Sequence, residues 1–179
     1  MNKDKVKVLQ VFGKMERGGA ETGAIQALRR TSQSKFKFDF IVHLPGKGNF
    51  DDEIEASGSK IFLIQSYKNP IIYLWKLNRI NKVFGPYNII HSRVHHYSGL
   101  VLFLAKIIGI PFRIAHSHND TRFEQNISFP LRKIYFYIMR KLVIKYSNLC
   151  LAVSKSAATS LYGNNGDKNP KVNIVYTGI

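Results

Sequence analysis

The chain has 179 residues, 45% of them hydrophobic and 12% aromatic, which fits one folded domain with a real core and excludes disordered or low-complexity character. Its net charge of +16 is one-sided: residues 1–59 carry 10 basic and 8 acidic side chains, whereas residues 60–179 carry 17 and 3. Such a field attracts polyanions or an anionic membrane surface, although a solvated lysine-rich surface accounts for any single one of these charges.

Taken in chain order, the pattern alternates. Val, Leu and Phe predict a strand over residues 5–12. Arg17-Gly18-Gly19-Ala20-Glu21 then opens a helix over 20–31, with Ala24, Ala27 and Leu28 on one face. A strand at 38–44, a breaker-rich loop at 45–49, a short acidic helix at 51–56 and a strand at 60–64 follow. Asn69-Pro70 starts a helix with apolar positions Ile72, Trp75, Leu77, Ile80 and Val83, and Gly85-Pro86 ends it. Next come a strand at 88–91, a strongly apolar helix at 97–108 and a strand at 112–116. A long amphipathic helix spans 129–146. A strand at 148–153, a helix at 155–161, a polar loop at 163–167 and a last strand at 172–176 complete the series.

Strands alternating with helices predict an α/β fold: a Rossmann-like three-layer domain over residues 1–179, with a mostly parallel sheet of about seven strands. Near-continuous apolar strands agree, because parallel strands are buried on both faces. The longest apolar run, residues 99–110, is interrupted by Lys106 and is too short to cross a bilayer. No segment reads as a secretory signal. The single cysteine, Cys150, has no internal disulfide partner and reads as core filler in a reducing cytoplasm.

In such a sheet, ligands bind beyond the carboxyl ends of the strands. The residues expected there are Gly18, Gly19 and Glu21 after the first strand, and His43 and Gly46 after the second. Ser92, Arg93, His95 and His96 follow the fourth, His116, Ser117, His118, Asn119 and Asp120 the fifth, and Ser154 and Lys155 the sixth. His91 lies inside a strand and reads as an ordinary satisfied polar residue. Three chemistries compete at this edge. A metal site draws on His116 and His118, which at i, i+2 share a strand face, but carboxylates nearby are few (Asp120 and Glu124) and no zinc spacing is present. A nucleotide site draws on the first loop, but neither G-x-G-x-x-G nor G-x-x-x-x-G-K-[ST] occurs, and a glycine pair also suits a plain tight turn. Recognition of a polyhydroxylated substrate needs only the hydrogen-bonding Asn, His, Ser and Arg side chains. Glu21 also suits the positive end of a helix dipole without any ligand.

The helix over 129–146 interleaves Arg132, Lys133, Arg140, Lys141 and Lys145 with apolar residues and holds no acid. An ordinary core-packed helix with a solvated basic face fits. A membrane-surface helix meeting anionic lipids fits as well. RNA binding is a third reading of this helix, but RNP-type and helix-turn-helix signatures are missing, so nucleic acid is not the expected partner.

In their order and spacing these motifs resemble the N-terminal domain of family-four, retaining glycosyltransferases of the two-domain GT-B fold, of the bacterial exopolysaccharide and capsule type. The resemblance rests on Gly18-Gly19-Ala20-Glu21, Asn88-Ile89-Ile90-His91-Ser92 and Gly109-Ile110-Pro111. It continues through Arg113-Ile114-Ala115-His116-Ser117-His118-Asn119, Leu151-Ala152-Val153-Ser154 and Val172-Asn173-Ile174-Val175-Tyr176-Thr177-Gly178-Ile179. Thr177 stands where the family usually has Asn. The resemblance implies an acceptor-side domain holding a saccharide or lipid-linked acceptor, with His116 or His118 near the reacting sugars and the Gly18-Gly19 loop facing the donor. It implies that the nucleotide-sugar donor is held mainly by a second, C-terminal domain with an E-x7-E motif, absent from these 179 residues, so that the chain alone is inactive. It further implies no metal or other cofactor and a cytoplasmic location, peripheral on the inner face of the cell membrane. A non-catalytic glycan- or partner-binding module is the alternative.

Overall fold

The computed structural model describes residues 5–123 and 129–176. Its elements are β1 (Val6–Phe12), α1 (Gly19–Arg30), β2 (Phe36–Val42), α2 (Asp51–Ala56), β3 (Ile61–Leu63), α3 (Pro70–Phe84) and β4 (Ile89–Ser92). A 3-10 turn (His95–Tyr97) leads into α4 (Ser98–Ile107), β5 (Phe112–Ser117), α5 (Pro130–Tyr146), β6 (Leu149–Ala152) and α6 (Lys155–Tyr162). A second 3-10 turn (Gly166–Lys168) precedes β7 (Val172–Ile174). The strands form one sheet in the order β3-β2-β1-β4-β5-β6-β7, with every pairing parallel. The expected α/β class holds, and the sheet is parallel throughout rather than mostly so. The earlier glutamate at 124 and the Thr177-Gly178-Ile179 segment lie outside the described residues.

The strand order reverses at β1. The chain runs outward through β2 and β3, then returns to place β4 on the other flank of β1. Right-handed crossovers therefore put α1 and α2 on one face and α3, α4 and α6 on the other. The two cores follow the period-2 alternation of the strands. Phe12, Phe40 and Val42 pack with Ala24, Ile25 and Leu28 of α1 and Ile54 of α2. Leu9, Val11, Ile41, Ile90, Ala115, Cys150 and Ala152 pack with Tyr73 and Leu77 of α3, Val101 and Leu102 of α4, and Ala157 and Leu161 of α6. The α1 side is less completely covered over β4 to β6: Ile89, Ile114, Leu149 and Leu151 are part-exposed and Phe112 is exposed.

α4 is buried between the sheet and α5. Gly99 permits the close approach, because a Cβ there would overlap the Met139 carbonyl and lie 3.1 Å from Leu142 Cβ. α5 is the outer layer, and Val143 is its one buried residue. Asn69 caps α3 as its sequence indicates, its side chain accepting from the Ile71 and Ile72 N–H groups at 3.0 and 3.1 Å. The inward face of α3 differs from expectation. Tyr73, Leu77 and Ile80 are buried, while Ile72, Trp75 and Val83 are exposed. Apolar residues nearly encircle this helix, so its sequence periodicity does not say which stripe meets the sheet.

Candidate functional site

Three neighbouring strands build the site by alternation. Register places Gln10 of β1 beside His91 of β4, and His91 beside Ile114 of β5. Residues two apart share a face, so Gln10 and Phe12, His91 and Arg93, and His116 and His118 all project on the α1 side at the carboxyl edge. This is the point where the strand order reverses, the usual crevice of an open α/β sheet.

The contacts are specific. Arg93 Nη1 donates to Gln10 Oε1, and its guanidinium lies 5.1 Å from the Phe12 ring centroid. His91 Nε2 is 3.3 Å from His116 Nδ1, with the rings stacked at 5.4 Å. The His116 and His118 rings are 4.0 Å apart. Burial, then the neighbouring positive groups, drives the imidazoles neutral: His91 and His116 are held well below the usual histidine range, and His118 falls to about 4. Burial also lowers Arg93 to about 9, opposed by the Glu21 carboxylate. Arg93 thus remains a cation at neutral pH, beside three imidazoles that are not. Glu21 is pushed up by burial, against a bond from its own N–H and the pull of Arg93.

Arg93 Nε, His116 Nε2 and His118 Nε2 are buried without a protein hydrogen-bond partner among the described residues. Buried polar atoms are costly when unpaired, so the oxygens of a ligand are their natural partners. A neutral imidazole can donate to or accept from a hydroxyl, and a fixed guanidinium stabilises developing negative charge. The cluster therefore suits a substrate that carries both hydroxyls and phosphate.

The glycine loop adjoins it. Gly18 is the N-cap of α1, extended at φ −120 and ψ 166 and lacking a side-chain cap. A Cβ on Gly18 would overlap Glu21 Oε2, because that carboxylate folds back over the helix start. Gly19 is exposed, and a Cβ there would meet nothing within 4 Å. The loop is pinned at its base, where the Gly13 carbonyl accepts the His43 and Leu44 N–H groups at 3.0 and 2.8 Å.

The other three histidines that the sequence gathers at this edge go elsewhere. His43 points to the opposite face, bonded to the Tyr73 hydroxyl at 3.1 Å and stacked 5.0 Å from Tyr67. His96 turns under α5, 4.7 Å from Phe136. His95 has φ 46 and lies 3.4 Å from both the Thr121 and Ser160 hydroxyls. That left-handed conformation is rare for a non-glycine residue. Ser154 is the N-cap of α6, its Oγ accepting the Ala157 N–H at 3.1 Å. Asn119 is exposed. Sequence reasoning does not single out Gln10 or Phe12, and it treats His91 as incidental. The available signal for Gln10 was a single polar residue within the apolar stretch Val8–Phe12.

On α5, Arg132, Lys133, Lys141 and Lys145 are exposed, while Arg140 is half-buried with Nη2 3.4 Å from the Ser160 carbonyl. The exposed apolar residues Leu131, Ile134, Tyr135 and Ile138 form a stripe at helical spacing. Among the described residues, no helix is long and apolar enough to cross a membrane, and no cluster of three or more His, Cys, Asp or Glu groups is arranged to ligate a metal.

The fold agrees with known proteins. Solved structures similar in fold include Anabaena HepE in complex with UDP and glucose (TM-score 0.67, 15% identity, 97% of this chain and 45% of that one). A glycosyltransferase from Rickettsia africae is another (TM-score 0.66, 19% identity, 99% and 44%). These likenesses carry the fold, a Rossmann-like half of a GT-B architecture. In sequence the chain is 28% identical to the putative glycosyltransferase EpsF of Bacillus subtilis over its whole length, covering 47% of that protein. It is 26% identical to the capsular polysaccharide biosynthesis glycosyltransferase CapH of Staphylococcus aureus, over 87% of this chain and 42% of that one. The chain thus spans about half the length of the curated relatives it matches. The family model for Glycosyltransferase Family 4 matches residues 17–179, and the chain belongs to that family.

Proposed function

We propose that this domain forms the acceptor side of a retaining hexosyltransferase. The enzyme would move a sugar from a nucleotide-sugar to a saccharide or lipid-linked acceptor in surface polysaccharide synthesis. The observation that carries the reading is the convergence of buried Arg93, His116 and His118 nitrogens, unpartnered among the described residues, beside the N-terminus of α1. Arg93 and the first-turn N–H groups of α1 offset phosphate charge without a metal ion. Neutral His116 and His118 orient sugar hydroxyls, and Gln10 holds the Arg93 guanidinium in place. Gly18, Gly19 and Glu21 line the donor side; His95 and Asn119 border the acceptor. A second domain completes the donor site, so the 179-residue chain alone transfers no sugar.

The exposed apolar stripe of α5, flanked by Arg132, Lys133, Lys141 and Lys145, rests on the anionic inner face of the cell membrane and brings the crevice to lipid-linked acceptors. Calorimetry with saccharide acceptors and nucleotide-sugars tests the crevice. Binding is expected to fall in Arg93→Met and His118→Gln, and unchanged binding in both variants refutes the assignment. Robust transfer by the isolated chain overturns the division of labour between two domains.

A further inference from the structure

α3 presents a second apolar surface to solvent. Ile71 is 78% exposed, Trp75 58% and Val83 63%. These residues recur every fourth position along one side of the helix, with Arg79 completing the row, its guanidinium 5.6 Å from the Trp75 ring centroid. Lys82 is exposed at the same end, Lys76 is part-exposed beside Trp75, and Lys68 is exposed just ahead of the helix. The helix holds no Asp or Glu. An indole and branched aliphatics among Lys and Arg, with no acid, match the composition of a helix lying in a lipid headgroup layer.

This surface does not stand apart from α5. Both helices lie on the same side of the sheet and both contact α4. Tyr67, three residues before α3, packs 5.5 Å from Tyr97 at the start of α4. The 3-10 turn that ends at Tyr97 in turn contacts α5. Part-exposed Tyr67 and Tyr97 therefore lie between the two helices.

We propose that Ile71, Trp75 and Val83 of α3 form a second contact with an anionic bilayer, so that the domain sits on the membrane through two helices rather than one. The inference rests on the membrane reading of α5 but is tested separately from it. Charge complementarity selects the occupant: the surface is cationic throughout, and anionic lipid satisfies it where a second copy of this basic chain would repel it.

Trp75 is the single tryptophan of the chain, so its fluorescence reports on α3 alone. The chain is mixed with phosphatidylcholine vesicles with and without phosphatidylglycerol, and flotation and Trp75 emission are read together. On anionic vesicles the chain is expected to float and the emission to move to the blue. Acrylamide quenching is expected to fall at least about twofold as the indole enters the boundary roughly 5–10 Å deep. Ile71→Glu is expected to lower partition several-fold at an unchanged melting midpoint. Flotation with unchanged emission and quenching overturns the proposal while leaving the α5 contact intact. Failure to float overturns both. A blue shift that grows with protein concentration in the absence of lipid assigns the stripe to self-association and also overturns the proposal.

Discussion

Mild acid should unfold this domain well before its carboxylates titrate. His43, His91, His96 and His116 are each at most 8% exposed. Burial holds His43 at about 4 and His96 at about 3, and holds His91 and His116 well below the ordinary value. The unfolded chain protonates these rings near pH 6.5. Below that pH the unfolded state binds more protons than the folded state, so stability falls as pH falls. The loss ends only near the folded values, at about pH 4 and lower. Between pH 7.5 and 5.5 each ring that stays neutral costs about 1.4 kcal/mol. Four such rings cost up to about 5 kcal/mol, comparable to the whole stability of a small domain. At about 2–4 °C per kcal/mol, the melting midpoint should drop by roughly 10–20 °C. Circular-dichroism melts at pH 7.5, 6.5 and 5.5 and constant ionic strength measure this. His96→Phe is the internal control: among the described residues neither ring nitrogen of His96 has a hydrogen-bond partner, and the ring packs on Phe136. That variant should lose about a quarter of the pH dependence. A midpoint flat between pH 7.5 and 5.5, or a slope unaltered in His96→Phe, refutes the claim that these imidazoles are buried neutral.

Three further outcomes are expected. Gly99→Val should destabilise by about 1–3 kcal/mol, because its side chain meets the Met139 carbonyl where α5 crosses α4; an unchanged denaturation midpoint contradicts that close approach. Tyr87→Phe removes the 2.8 Å bond to Asp39 Oδ2, a buried charged acceptor, and should cost about 1.5–3 kcal/mol in urea unfolding. Ser154→Ala should cost about 1 kcal/mol, with recovery in Ser154→Asp, as for a helix cap. If Ser154→Ala weakens ligand binding at unchanged stability, the side chain serves the ligand instead.

Much of the architecture is legible residue by residue. Gly85-Pro86 and Gly109-Ile110-Pro111 stop helices where the structure stops them, within a residue or two. Pro70 and Asn69 start α3. His116 and His118 share a face because a strand repeats every two residues, and no tertiary knowledge is needed for that. α3 is less legible, because apolar residues occur on almost every side of it and only packing against the sheet reveals that Tyr73 faces inward and Trp75 outward. Element ends also drift: β2 begins at Phe36 and closes at Val42, two residues earlier than its apolar run indicates.

By itself, the sequence determined the alternation of strands and helices, the parallel class of the sheet, the one-sided charge and the family motifs. Each is encoded in local spacing or composition. Only the tertiary structure decided the strand order, and with it which histidines meet. Gln10 reaches Arg93 across 83 residues of chain and His91 reaches His116 across 25. Such contacts depend on the lateral neighbours of a strand, which local periodicity does not encode. With Phe12 opposite Val42 in the register, His43 falls on the other face, and His96 turns beneath α5, which leaves Arg93, His116 and His118 to form the crevice.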